Sequence, residues 1–261
     1  MQCEIDFGQR WTNRRSSFRL RASDFDPSRY TVDVLPKASA QAFVEQHHYS
    51  GSYPAARKAV GLFDGRECVG VAVFSVPAQN AVIPKWLGCP AGDGIELGRF
   101  VLLDRVPFNA ETWFLRRAFT LIRQELKVVG VVAYSDPVRR EALDGSTVMP
   151  GHVGTIYKAF NGAYLGRGSP RTLLLDAAGR VFSARALSKI RNEERGIDYA
   201  LRQLVEAGAP VRLKHENPRV YVARVLASDC FRRIPHPGNH VYAWHFGKKL
   251  DSLAFPVLEV A

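Results

Sequence analysis

Val131-Val132-Ala133-Tyr134-Ser135-Asp136-Pro137, followed after a polar interval by Gly151-His152-Val153-Gly154-Thr155-Ile156-Tyr157-Lys158-Ala159-Phe160-Asn161, is the stretch from which the fold can be read. A β-branched run that stops at Asp-Pro reads as a buried strand ending in a turn. Gly154 and Thr155 tolerate the geometry that opens a short helix, and Ile156, Ala159 and Phe160 supply its apolar face. Polar, ionisable and small residues therefore gather where a strand ends and a helix begins. In α/β proteins ligands bind at that place.

Working towards the N-terminus, Asn109 is expected to cap a helix over about 111–127, with Trp113, Phe114, Ala118, Leu121 and Ile122 at helical spacing. Ile95 to Leu103 reads as a buried strand carrying Glu96 and Arg99, and 84–94 as a Gly/Pro-rich loop with Trp86. Val60–Phe63, Asp64-Gly65 and Val69–Val76 form a hairpin signal. Tyr30 to Leu35 alternates as a strand, and Ser39 is placed to cap a helix bearing Ala42 and Phe43 that runs into His47-His48-Tyr49-Ser50. The first 30 residues, with Arg10, Arg14, Arg15, Arg19 and Arg21, read as a basic arm or a loose edge strand.

Towards the C-terminus, Arg171–Leu175 and Arg180–Phe182 read as a hairpin or strand pair, and Ser183 to Ala207 as two short helices broken at Gly196. Val220–Leu226 and His240–Phe246 read as alternating strands, the second closing the main sheet. This order of elements implies an α/β fold with a central mixed, mostly antiparallel sheet around one core. The expected organisation is an arm over 1–30, a core over 31–182, a basic helical insertion over 183–236 and a closing strand with tail over 237–261.

Lys and Arg total 36 against 25 acids, a net charge of +11. Fourteen of the basic residues and only six acids fall between Arg180 and Lys249. That asymmetry favours a polyanionic partner through phosphate neutralisation, with a merely solvated basic face as the alternative. No stretch approaches the roughly 20 apolar residues of a membrane span, and the first residues lack an apolar signal core. Four scattered cysteines without a CxxC pair argue against a zinc ribbon or disulfide framework. A cytoplasmic protein is the expectation.

The element order is similar to that of the Gcn5-related N-acetyltransferase (GNAT) fold. His47-His48-Tyr49-Ser50-Gly51, the Val60–Phe63 strand, Leu97-Gly98-Arg99-Phe100, Tyr134-Ser135-Asp136-Pro137 and Gly151 to Tyr157, in that order, resemble the phage Mom family over residues 40–250. The resemblance implies modification of adenine N6 in double-stranded DNA to a carbamoylmethyl adduct, which shields phage DNA from restriction in the bacterial host cytoplasm. It also implies an iron ion, Fe(II), and an acyl-CoA-type donor. The fold's pyrophosphate loop would fall at Asp104–Glu111, which holds no glycine. Such a loop cradles a pyrophosphate poorly, so the donor stays unassigned. Residues 138–150 look inserted relative to the family, as a lid or a DNA-contacting loop.

An exocyclic amine is weakly nucleophilic, so its transfer chemistry needs a proton acceptor and an activated carbon. Under the resemblance Asp136 is the candidate acceptor, its alternative role being an Asx turn before Pro137. Tyr157 stands where a tyrosine of ordinary acetyltransferases protonates the leaving group; otherwise it is a packed aromatic. Ser135 and Arg99 complete the catalytic set, Arg99 either pairing with Glu96 or Asp136 or holding a phosphate or carboxamide. Tyr49, Tyr134, His152, Gly154, Thr155, Asn161 and Asn109 are candidate substrate or donor contacts, with His152 alternatively a helix-opening residue. His48 with Tyr49 is the candidate iron site, since adjacent His47 and His48 point about 100° apart on a helix. Arg185, Lys189, Arg191, Arg195, Arg232 and Arg233 are candidate phosphate contacts. Base flipping would draw on Tyr49, Tyr53, Trp86 or Phe160 for stacking. The alternatives are an N-acyltransferase acting on a small amine or protein, and a non-catalytic DNA-binding module.

Overall fold

The computed structural model describes residues 7–12, 15–20 and 25–256, the first two stretches as backbone only. The elements begin with β1 (Phe7–Thr12), β2 (Arg15–Leu20), β3 (Tyr30–Val34), α1 (Lys37–His47), β4 (Ala56–Asp64), β5 (Glu67–Ser75), α2 (Val82–Leu87) and β6 (Gly94–Leu102). Next come α3 (Ala110–Leu126), β7 (Gly130–Ser135), β8 (Arg140–Glu141), β9 (Thr147–Met149), α4 (Thr155–Ala159), β10 (Ala163–Arg167) and β11 (Arg171–Leu175). The chain ends with α5 (Ala184–Arg191), α6 (Ile197–Glu206), α7 (Pro218–Ala227), β12 (Arg232–His236) and β13 (His240–His245). Of the arm expected over 1–30, the side chains before Phe25 lie outside the described residues; its backbone includes the antiparallel pair β1–β2.

The chain divides into two compact units. The first holds residues up to Pro137, Gly151–Gly168 and residues from Asn239 onwards; the second holds Val138–Pro150 and Ser169–Gly238. In the first unit a seven-stranded sheet runs β10-β13-β7-β6-β5-β4-β3. Its neighbours are antiparallel except β6 and β7. The strand that follows α4 in this sheet is β10, not 171–175 as the sequence suggests, and β13 inserts between β10 and β7 rather than forming an edge.

The two faces of the sheet are covered by different helices. α3 buries Ala110, Glu111, Phe114, Leu115, Ala118, Phe119 and Ile122, the i, i+3, i+4 seam of an amphipathic helix. Trp113 and Leu121, expected in that seam, flank it instead. The seam packs on Val60, Leu62, Ala72, Phe74, Ile95, Leu97, Val131 and Ala133. On the opposite face α1 sets Ala40 and Val44 against Ala59, Val71, Val73 and Val101, while α2 sets Ile83 and Leu87 against Val132, Val241 and Ala243. α2 occupies part of the stretch expected to be loop, because Ile83 and Leu87 sit four residues apart and share one apolar face.

Several caps differ from expectation. α1 starts at Lys37 behind Pro36, so Ser39 lies inside the first turn and caps nothing. Asn109 precedes α3 but has φ +75° and makes no side-chain cap bond. The β4–β5 turn consists of Gly65 and Arg66, with Asp64 still paired to Glu67. Only Gly65 there needs positive φ, at +61°.

The second unit contains the β8–β9 and β11–β12 pairs and the three helices α5, α6 and α7. Gly196, at φ +88°, separates α5 from α6 as expected. Residues 220–226 are helix, not strand. Pro218, Tyr221, Val222 and Val225 are the buried positions, a helical period, and Asn217 caps the first turn by accepting from the Arg219 N–H. The alternation of Val220, Val222 and Leu226 was thus misleading, since Val220 is exposed. The strand Arg171–Leu175 pairs with β12 along its length; 180–182 contributes only a bridge at Val181.

Candidate active site

The site is built by where the sheet's one parallel pair, among the described residues, comes apart. β6 and β7 are in register from Gly94↔Gly130 to Leu97↔Ala133. Beyond that, β6 stays bonded to β5 as far as Leu102, and β7 stays bonded to β13 as far as Ser135. The carboxyl ends of the two strands therefore diverge, and a notch opens between them, the position where open α/β sheets take ligands.

A bulge fixes what lines it. Phe74 pairs with Leu97 and Val73 with Arg99, leaving Gly98 as the extra residue of β6. Ile95 and Leu97 face α3, and after the bulge Phe100 and Leu102 return to that side while Val101 joins the α1 cluster. Strict alternation would have driven Arg99 into the α3 core; the added residue puts it on the face of Glu96 instead. Position 98 has to be glycine because a Cβ there would stand 2.4 Å from Ser75 Oγ.

Arg99 anchors the notch. Its Nε donates to the Ser52 carbonyl at 3.0 Å, Nη2 to Ser52 Oγ at 3.0 Å and Nη1 to the Gly98 carbonyl at 2.6 Å. Its hydrogen bonds therefore go to neither Glu96 nor Asp136, the partners that the sequence offered. Burial lowers its pKa, and Tyr49, Glu96 and Tyr157 oppose that. Glu96, expected only as a partner for Arg99, has its carboxyl raised by burial to about 7, with Arg99 pulling the other way. It is half-ionised near neutrality.

Tyr157, on α4, is held well above the ordinary phenol range by burial, then by Tyr49, Glu96 and Tyr242, against Arg99. It is a phenol at any physiological pH. Its ring packs 5.4 Å from Tyr242 and 5.8 Å from Trp244. Trp244 Nε1 donates to the Phe160 carbonyl at 2.8 Å, and the Tyr242 hydroxyl donates to the Val153 carbonyl, so both ends of α4 are tied to β13. Gly154, at φ +76°, leaves no room for a Cβ, which would meet the Tyr242 ring at 2.7 Å. Tyr134 is raised to about 12 by burial and by Glu96, partly offset by a hydrogen bond from Trp86.

The α1 end supplies His48 and Tyr49. His48 caps α1, with its N–H donating to the Val44 carbonyl at 2.9 Å. Its buried ring accepts the Ser50 N–H at Nδ1, 3.1 Å away, with Ser50 Oγ at 2.9 Å. A neutral ring that accepts at Nδ1 carries its proton on Nε2. Burial, then Arg99 and His152, hold the His48 pKa well below the usual imidazole value. The His48 and Tyr49 rings lie 4.2 Å apart, and Tyr49 meets His152 edge-on at 6.1 Å. The His152 N–H donates to the Asp136 carbonyl at 2.8 Å, which ties the segment before α4 to the end of β7.

His48, Tyr49, Arg99, Tyr134, Ser135, Asp136, His152, Gly154 and Tyr157 are thus brought to the neighbourhood of one notch. Thr155 is exposed at the start of α4, and Asn161 is exposed beyond its other end, at φ +55°. Among stacking candidates, Phe160 is committed to the core at 5.1 Å from Phe119, and Tyr53 packs on the α1 cluster. Trp86 packs on the α2 cluster with Lys85 Nζ 4.4 Å from its ring centroid, and Tyr49 lies beside His48 and His152. Glu96, Ser50 and Ser52 were missed; a single carboxylate in an apolar strand was the available signal for Glu96. The hydroxyls of Ser75 and Ser135, at the ends of β5 and β7, are buried without a hydrogen-bond partner among the described residues.

The iron expected at His48 and Tyr49 does not fit this donor set. Nδ1 of His48 is already taken by the Ser50 amide, and the Arg99 cation bears on the ring. Among the described residues no three His, Cys, Asp or Glu side chains form a metal-binding group.

In the second unit, Lys189 and Arg191 end α5, whereas Arg195 lies in the following turn and not on the helix. Arg185 makes a bidentate pair with Glu194, with Nη1 at 2.8 Å, so its charge is already balanced. Arg232 and Arg233 donate to the carbonyls of Glu141 and Leu226. No helix of the described residues is long and apolar enough to cross a membrane.

Among curated proteins none matches the chain. Among solved structures it is similar to a tandem GNAT protein from the clavulanic acid biosynthesis pathway (without AcCoA), at 10% identity and a TM-score of 0.40, covering 84% of this chain and 99% of that one. The profile of the Mom protein family matches residues 29–221. That span runs from β3 through the bulged strand, the notch and α4 into α7, and on its extent the chain belongs to the Mom protein family.

Proposed function

We propose that this Mom-family protein modifies adenine in double-stranded DNA, transferring a carbamoylmethyl group to N6 and so protecting phage DNA from host restriction. The observation that carries the reading is the notch between β6 and β7. There a carboxyl near neutrality, a protonated phenol and a fixed arginine come together.

The N6 lone pair forms the new N–C bond as the donor's leaving group departs with its bonding electrons. Glu96, ionised in about half of the molecules at pH 7, accepts the proton that N6 loses. The Tyr157 hydroxyl protonates the departing group, and solvent returns the two proton carriers to their starting states. Asp136, at the end of β7, accepts the second N6 hydrogen in a hydrogen bond and orients the amine. Arg99 is the fixed cation for charge that develops on the donor. The aromatic ring of Tyr49 suits a base turned out of the duplex. Lys189 and Arg191 of α5 and Arg195 of the following turn supply phosphate contacts. No step here runs through iron.

An acyl-CoA donor finds little support at the start of α3. The preceding loop has no glycine, and the Val106 and Ala110 amides bond back to Leu103 and Pro107. The deciding experiment digests DNA from cells expressing the protein to nucleosides and analyses them by mass spectrometry. A new adenine species abolished by Glu96→Gln, Asp136→Ala and Tyr157→Phe is expected. Unmodified nucleosides together with acylated amines or protein would replace this reading by an ordinary N-acyltransferase. DNA binding without any product would leave a binding module.

A further inference from the structure

In the second unit, β8 and the residue before it bring Arg139, Arg140 and Glu141 beside the end of the β11–β12 pair, where Leu175 is in register with Arg232. With Ile234 these residues line a cleft of about 190 Å³. That is room for about six waters at about 30 Å³ each, or for a phosphate group and part of its hydration. Three arginines and one glutamate are among its lining residues.

The carboxylate is committed to its neighbour. Arg139 Nε donates to Glu141 Oε1 at 2.9 Å, and its Nη2 donates to Thr147 Oγ1 at 3.0 Å. Arg232 donates to the Glu141 backbone carbonyl, which fixes its stem across the cleft. Arg140 is nine-tenths buried. The frame is tight. The Leu143 N–H donates to the Ala177 carbonyl at 2.9 Å, and a Cβ on Gly179 would stand 2.7 Å from the Glu141 carbonyl oxygen. Arg140 and Arg232 are thus presented by paired strands, and Arg139 by the residue just before β8. Leu175 and Ile234 make an apolar floor, which weakens solvent screening of the charges above it. Planar guanidinium forks held over such a floor match the paired oxygens of a phosphate.

We propose that this cleft is a phosphate-binding site, occupied by a backbone phosphate of the DNA that the enzyme modifies. Naming DNA as the source rests on the function proposed above. The preference for phosphate does not, since a phosphorylated small molecule presents the same group.

The test uses the full chain and three separate readouts: calorimetric titration with inorganic pyrophosphate, duplex DNA affinity across a salt series, and nucleoside mass spectrometry. Arg139→Gln with Arg232→Gln is compared with Arg202→Gln plus Arg219→Gln, two exposed arginines of α6 and α7 outside the cleft. The cleft variant is expected to abolish pyrophosphate binding and weaken DNA binding about tenfold. It should also lower the slope of log affinity against log salt by about one. The control pair should move affinity less than the cleft pair. Glu141→Gln supplies a change of opposite sign, which a misfolded protein would not give: it tightens both ligands more than Glu206→Gln does. Lost pyrophosphate binding with unchanged DNA affinity would make the source a small phosphorylated molecule and overturn the DNA assignment. Equal effects of cleft and control variants on both ligands would overturn the site itself. Cleft-dependent DNA binding without any new nucleoside would refute the proposed reaction and leave the cleft standing.

Discussion

Glu96→Gln should make the protein more stable and less active at the same time, and the two effects share one physical origin. Burial raises the Glu96 carboxyl from 4.5 to about 7. A folded-state pKa above the unfolded one means that the native state binds the proton more tightly. The contribution to stability is then complete below about pH 4.5 and is lost as pH rises through about 7. At about 1.36 kcal/mol per pKa unit, keeping Glu96 ionised in the fold at pH 8 costs about 3 kcal/mol. Glutamine mimics the protonated form and removes that cost. Urea unfolding of both proteins at pH 4, 6 and 8 should show the variant equal at pH 4, ahead by about 2 kcal/mol at pH 6 and by about 3 kcal/mol at pH 8. The rate of adenine modification should rise with pH through about 7 in the wild type as the base ionises. That inflection should vanish in the variant, with a loss of about 10²–10⁴-fold. A stability difference that does not change with pH would show that Glu96 is not held in a raised state, and the proton-acceptor role would fall with it.

Three further outcomes follow from the geometry. Tyr157→Phe keeps the packing on Tyr242 and Trp244, so it should fold normally and lose about 10²–10⁴-fold in product formation by mass spectrometry. Gly98→Ala places a methyl 2.4 Å from Ser75 Oγ and should cost about 1–3 kcal/mol by thermal unfolding, most of it recovered when Ser75→Ala is added. Val222→Asp should cost more than about 3 kcal/mol while Val220→Asp stays within about 0.5 kcal/mol, because Val222 is fully buried in α7 and Val220 is exposed. Equal costs at the two positions would contradict the helix.

Much of the local structure was legible where one period dominated. The run at 130–135, the strand carrying Glu96 and Arg99, the long helix after Asn109 and the break at Gly196 all stand close to their expected places. Each is a segment whose pattern, strand run or helical seam, is set by which side faces the interior. The failures share a cause too. Residues 220–226 satisfy both an alternating and a helical pattern, and only the contacts of Tyr221 and Val225 decide between them. Arg171–Leu175 reads equally well as a main-sheet strand or as a partner of β12. Strand pairing is non-local, so nothing within the segment distinguishes the two.

The chemistry divides in the same way. Turn-forming and ionisable groups mark the stretches around Arg99, Asp136 and Tyr157 locally, while the roles of Asp136 and Tyr157 come from the family resemblance. Whether those groups meet was left to the sheet. The single extra residue at Gly98 turns Arg99 away from the apolar core, and the divergence of β6 from β7 makes the space in front of it. The same burial carries Glu96 to a neutral pKa. Desolvation and strand register belong to the assembled fold, because both depend on neighbours that lie far away along the chain.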